Sequence, residues 1–153
     1  MEQKVYEGQL QLYNVEHNEH DNHIDLIDFY KGGNIEYTYQ ILKEGYNPIP
    51  NIHLFNQNGE YILVSTADSN NIFKTKGKYK TKAELPPHFL NDGKYIVGIA
   101  ISTLLPHIVH FFEEDALRFE VIENMKHRNT DYRGVMPGTI RPILKWETKK
   151  INQ

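Results

Sequence analysis

Apolar and polar residues alternate over short runs along most of this chain, and turn residues bound each run. IDLIDFY (24–30) gives way to KGGN, and IEYTYQIL (35–42) to KEGYNPIP. NIHLFNQ (51–57) meets YILVST (61–66) across Asn58-Gly59, and an Asn-Gly pair is the strongest short-range hairpin signal because both positions of the tight turn want φ > 0. GKYKTKAEL (77–85) ends at Pro86-Pro87, KYIVGIAIST (94–103) follows Asp92-Gly93, LRFEVIE (117–123) follows FFEEDA, and TIRPILKWE (139–147) comes last. A period of two marks half-buried strands. No segment of helical period reaches about 12 residues, and only EEDALRF (113–119) has the makings of a helical turn. The pattern predicts an all-β sandwich of about seven to eight strands. Residues 1–23 are polar and without period, so the sandwich is placed at 24–148, with a tail at 149–153.

One local spacing sharpens the fold. In LNDGKY, Leu90, Gly93 and Tyr95 have the spacing of a tyrosine corner, a Greek-key feature in which a tyrosine near a strand's start bonds back to upstream backbone. Along the strand that follows, Tyr95, Val97, Ile99 and Ile101 are expected to face the core. Ile96, Gly98, Ala100 and Ser102 face out, and a glycine inside a strand often marks close approach of another backbone or a ligand.

Composition narrows the chemistry. The chain has 153 residues, which suits one domain. It has no cysteine, which rules out disulfides and thiolate metal sites and suits a reducing compartment. No apolar run approaches about 18 residues, the length of a membrane span, and the opening residues read as no signal peptide. The net charge is −3 with the basic residues scattered, so nucleic acid is not an expected partner.

The stretch VEHNEHDNH brings His17, His20 and His23 close to Glu16, Glu19, Asp21 and Asp25. Two histidines three apart share a side only if a helix carries them, and this polar context reads as a solvated loop, with no metal. His107 and His110 read as edge positions. The run Glu113, Glu114, Asp115 reads as a solvated turn. There is no nucleophile elbow and no phosphate loop. No cofactor is expected, and the chain reads as a binding protein, not an enzyme.

What remains is recognition. Sugars are held where aromatic faces meet apolar patches while fixed polar groups bond hydroxyls. If the neighbouring strands flank KYIVGIAIST, the row Gly98, Ala100, Ser102 makes the floor of a trough walled by His53, Phe55, Arg118 and Glu120. Such a trough receives either a glycan or another strand or subunit. Tyr37, Tyr39 and Trp146 are the next candidates for a sugar contact.

The segments PPHFLNDGKYIVGIAI, VHFFEEDALRFEV and DYRGVMPGTIRPILKWE, with IPNIHLFNQNGEYI earlier, resemble the C-terminal domain of Wzt-type ATPase subunits. Those subunits serve ABC transporters that export O-antigen and related surface polysaccharides. The likeness runs from about Ile24 to Glu147. It implies an immunoglobulin-like Greek-key sandwich that binds the exported glycan, often at its non-reducing end, on the cytoplasmic side of the membrane. It also implies partners: a nucleotide-binding domain, a permease and a second copy. In that dimer GVMPGT is a hinge and the last strand, with Ile140, Arg141, Pro142, Leu144 and Trp146, crosses to the other copy. Pro142 suits an edge strand, since it has no N–H to give a central ladder. The resemblance does not reach the nucleotide-binding domain of such subunits, nor does it account for the histidines at 17–23. Two other readings stay open: a dimerisation or protein-docking sandwich without sugar binding, and a glycan-modifying enzyme.

Overall fold

A computed structural model describes residues 10–16 and 25–151. Among these, eight strands run in chain order: β1 (Leu10–Glu16), β2 (Asp25–Asp28), β3 (Gly33–Ile41), β4 (Ile49–Asn56), β5 (Tyr61–Thr66), β6 (Gly77–Leu85), β7 (Gly93–Thr103) and β8 (Ile108–Ile122). They form two layers, a sheet ordered β1-β3-β6 and a sheet ordered β2-β8-β7-β4-β5. All pairings are antiparallel except β2 with β8. The chain changes layer at β1–β2, β2–β3, β3–β4, β5–β6 and β6–β7, as in an immunoglobulin-like β-sandwich. The only helical turns among the described residues are two three-residue 3-10 segments, Ser69–Asn71 and Met125–His127. No helix there is long and apolar enough to cross a membrane.

The alternation sets the core. Ile35, Tyr37, Tyr39 and Ile41 of β3 meet Ile52 and Leu54 of β4 and Tyr95, Val97, Ile99 and Ile101 of β7, all buried. Tyr37 and Tyr39, held in reserve as sugar contacts, are therefore core residues, 2% and 1% exposed. The Tyr37 hydroxyl reaches across the layers to the main-chain oxygens of Asn51 (3.1 Å) and Ala100 (3.2 Å). Burial raises the pKa of that hydroxyl above its ordinary value. The tyrosine corner forms as the spacing predicts. Tyr95 Oη donates to the Asn91 carbonyl at 2.6 Å, and burial, then the nearby Asp92, pushes its pKa up to about 12.

Several expectations change. β1 lies inside the segment assigned no structure and pairs with β3; a polar stretch can still complete a sheet edge when its backbone finds a partner. FFEEDA makes no helical turn. It belongs to β8, whose register against β7 jumps from Val97↔Leu117 to Ile99↔Glu113, so the acidic run is a bulge. His110 is no edge position: it is 1% exposed, and its Nε2 lies 2.7 Å from Thr103 Oγ1. The β4–β5 hairpin forms, but Asn58 does not have positive φ; Gly59 alone does, at 81°. Bonds from Asn56 N–H to the Glu60 carbonyl and from Gly59 N–H to the Asn56 carbonyl close it, a longer loop than the two-residue turn.

Among the described residues no final strand follows β8. Residues 136–141 instead dock against the loop before β7. Asn91 Nδ2 donates to the carbonyls of Met136 (2.6 Å) and Gly138 (2.7 Å). Asn91 N–H donates to the Thr139 carbonyl, Arg141 N–H to the Phe89 carbonyl, and Leu90 bridges Ile140. Arg141 then pairs with Glu123 (2.7 Å), which Arg128 also holds (2.9 Å) and to which Tyr30 Oη donates at 2.7 Å. Arg141 also sits over the Phe29 ring, 4.0 Å from its centre. The bonds from Arg141, then Arg128, keep the Glu123 carboxyl well below the usual carboxylate range. Beyond, Leu144 and Trp146 are 65% and 85% exposed.

Glu123→Ala would strand two guanidiniums that are largely out of water, at a cost of about 3–5 kcal/mol, read as a lowered midpoint in urea. Because the folded-state pKa is depressed, this stability is complete above the ordinary value of 4.5 and is lost as pH falls below it. Glu123→Gln should flatten that acid limb of the melting curve.

Candidate functional site

The exposed side of the five-stranded sheet is set by register. Asn51, His53 and Phe55 of β4 stand opposite Ala100, Gly98 and Ile96 of β7. Ala100 and Ile96 stand in turn opposite Phe112 and Arg118 of β8. On the other flank, Thr66, Val64 and Tyr61 of β5 stand opposite Asn51, His53 and Phe55.

The expected trough takes a different shape. Gly98 and Ala100 are buried and give no open floor. A Cβ on Gly98 would meet the carbonyls of Glu114 and Glu113 at 3.1 and 3.2 Å and the Phe112 ring at 3.2 Å. The close approach that this glycine permits is to the β8 bulge. Phe55 is only 3% exposed because Tyr61 covers it, ring centres 4.4 Å apart. Phe55 therefore has no free face for stacking, and the exposed ring is Tyr61. Arg118 is engaged by Asp115 through two bonds, 3.1 and 2.6 Å, so its charge is already answered. Glu120 stands beside Lys94 and Leu26, farther along the sheet.

His53 and Ser102 do come together, through a residue that pattern alone did not single out. Tyr61 Oη lies 3.1 Å from His53 Nδ1, and His53 Nε2 lies 2.9 Å from Asn51 Oδ1. Asn51 Nδ2 donates to the Ile49 carbonyl (3.0 Å) and to Ser102 Oγ (3.3 Å). With the Asn51 amide nitrogen donating both ways, its oxygen must accept, which assigns the proton of neutral imidazole to Nε2. Nδ1 then accepts from Tyr61. The Phe112 ring lies beside His53, centres 4.9 Å apart. The result is a ladder of neutral hydrogen-bonding groups across β5, β4 and β7, with Tyr61 and Phe112 beside it. Ser102 keeps a hydroxyl proton and Tyr61 keeps oxygen lone pairs to offer a ligand. A two-residue turn at Asn58-Gly59 would have paired Tyr61 with Asn56; the longer loop sets Tyr61 opposite Phe55 instead, and Phe112 was hidden by reading FFEEDA as a turn.

The histidines at 17, 20 and 23 lie outside the described residues. Among the described residues no group of three or more His, Cys, Asp or Glu could hold a metal.

A family model for the Wzt C-terminal domain matches residues 9–135. The chain belongs to that family. The span matched by the Wzt C-terminal domain model takes in all eight strands, β1 included. A crystal structure of the C-terminal domain of wzt superposes with a TM-score of 0.65 at 14% identity, over 97% of this chain and 89% of that one. At that identity the likeness speaks for the fold. No curated protein matches the chain in sequence.

Partial burial lowers the His53 pKa below the ordinary 6.5, and burial acts the same way on His110. A lowered value means that the unfolded chain binds more protons just below pH 6.5. The stability these imidazoles contribute is then complete above about 6.5 and shrinks as pH falls. Imidazole NMR titration should place His53 below 6.5 and show the Nε2–H form above it.

Proposed function

We propose that this Wzt C-terminal domain is a non-catalytic carbohydrate-binding module that recognises a cell-surface polysaccharide, at its non-reducing end, for export by an ABC transporter. It would work at the cytoplasmic face of the membrane, beside the nucleotide-binding domain and permease. The observation that carries this reading is the Tyr61–His53–Asn51–Ser102 ladder. A ladder of fixed, neutral donors and acceptors beside exposed aromatic surface is what a sugar ring requires, with hydroxyls on its edge and C–H groups on its face. Such a surface is shallow and wet, so binding of one chain end falls at roughly micromolar to millimolar affinity.

Calorimetric titration with the surface polysaccharide of the host organism tests this. His53→Ala and Tyr61→Ala should each weaken binding by about tenfold or more, the loss of a hydrogen bond plus an aromatic contact. Arg118→Ala, whose partner is Asp115, should matter less. Normal binding by both of the first two variants would move the site elsewhere. Failure of the unaltered protein to bind any host glycan would favour the protein-docking reading.

A homodimer is the second part of the proposal, and one observation favours it. Ile140, Ile143, Leu144 and Trp146 are 50–85% exposed on a segment that makes no strand within the chain. Exposed apolar side chains in a row mark an interaction surface. A second copy receiving residues 140–147 would cover them, and two sites would hold a repeating polymer more firmly than one. Sedimentation should show a dimer for the unaltered chain and dissociation for Leu144→Asp with Trp146→Ala.

A further inference from the structure

The two layers of the sandwich part on the side away from β1 and β2. There β5 ends one sheet and β6 ends the other, and a cleft of about 350 Å³ opens between them. Among its lining residues Tyr37, Asn51 and Ile52 are buried. Leu63 and Ser65 alternate on the β5 wall, Thr81 and Ala83 on the β6 wall. Each wall thus carries both apolar surface and a hydroxyl. The turn after β5 closes one end with Asp68 and Asn71.

The polar groups there are placed but incompletely used. Asp68 Oδ1 accepts from Asn70 N–H (3.1 Å) and Asn71 Nδ2 (2.7 Å), which fixes the carboxylate and leaves Oδ2 to accept from outside. Asn71 Oδ1 points no bond at the chain among the described residues. The Ser65 and Thr81 hydroxyls are likewise unengaged there. The side chains of Lys82 and Glu84 alternate away from the layers and are exposed, so the carboxylate that fits the cleft's end is that of Asp68, itself exposed at the mouth. A carboxylate and an amide at one end, a hydroxyl on each wall and an apolar floor form a small set of directional groups around apolar surface, the make-up of a small-molecule site.

We propose that this cleft is a second saccharide site, taking an uncharged pyranose ring, with Asp68 and Asn71 bonding adjacent hydroxyls and Ser65 and Thr81 bonding those on either side. The proposal rests on the glycan-binding reading above and assigns the cleft to a residue of the same glycan, apart from the outer-face ladder. One sugar ring at such a site binds weakly, at about the millimolar level.

The test is an amide NMR titration of the full chain with the methyl pyranosides of glucose, galactose, mannose, rhamnose and N-acetylglucosamine. At least one should shift the amides of Ser65, Asp68, Asn71 and Thr81 in a saturable way. Thr81→Val keeps the shape of the strand residue and should weaken that response by between about two- and tenfold. Asp68→Ala should abolish it, and His53→Ala should leave it intact. Shifts confined to His53, Tyr61 and Ser102 would overturn the cleft site while sustaining the outer-face reading. No shift at the cleft with any of the sugars would overturn it too, and the polysaccharide titration would then judge the outer face alone. Cleft shifts produced only by a peptide of residues 140–151 would make the cleft a strand receptor and also defeat the proposal.

Discussion

The carboxylate of Glu123 is where this fold is tied off. It leaves the end of the longest strand and accepts bonds from Arg128, Arg141 and Tyr30. Removed from water, one carboxylate facing two guanidiniums is costly to form and more costly to break, since either half alone would be a buried unpaired charge. Its position therefore fixes three pieces of chain at once: the turn after β2, the 3-10 segment after β8, and the docked residues 136–141. Arg141 also reaches Asn91 Oδ1 at 3.2 Å, and Asn91 is the residue whose carbonyl Tyr95 holds. The tyrosine corner and the ion cluster are thus two ends of one hydrogen-bonded clamp, which secures the loop entering β7, the central strand of the larger sheet.

Strands whose two faces differ in polarity were legible from sequence. IEYTYQI and KYKTKAEL alternate cleanly, and each appears as a strand with its apolar set inward; YIVGIAI, a continuous apolar run, is a strand buried throughout from Val97 to Ile101. The tyrosine corner was legible as well, because it depends on spacing within six residues. What failed shares a cause. Whether Phe55 or Gly98 is open depends on what lies above it: for Phe55 the ring of Tyr61, placed there by the hairpin's longer loop, and for Gly98 the β8 bulge, farther off in sequence. An outward-facing residue on a strand is only a candidate for exposure. The acidic run before Leu117 hid the bulge because carboxylates in a row read as solvated turn, and solvated is what Glu114 and Asp115 are, though within a strand. The final segment read as a strand from its composition, yet within one chain it has only the Leu90–Ile140 bridge.

The charge picture changed with the geometry. Arg118 and Glu120 looked like groups that would answer acidic or hydroxyl substituents. With Arg118 held by Asp115, the exposed sheet around His53 presents dipoles and aromatic surface in place of a free cation. Burial also favours the neutral form of His53, and a neutral imidazole can donate at one nitrogen and accept at the other. Protonation would turn Nδ1 into a donor and oblige Tyr61 to reverse its bond. The ladder is thus oriented in one sense, and that sense is maintained by the same burial that lowers the pKa.

Asn51 shows why such a site can be rigid on so open a surface. Its main-chain oxygen faces the core and lies within bonding distance of the Tyr37 hydroxyl. Its side chain, on the opposite face, holds His53 and Ser102. A residue so placed cannot shift toward a ligand without disturbing a buried hydrogen bond between the two layers. The polar ladder therefore takes its rigidity from the core, and little of a ligand's binding energy is spent on ordering it. For the shallow glycan site proposed above, which would have to distinguish one chain end from many similar interior sugars, rigidity of this kind would do what depth does elsewhere. A hydroxyl that misses the donor at Ser102 or the acceptor at Tyr61 leaves that group without its bond, and the ladder has no slack with which to follow it.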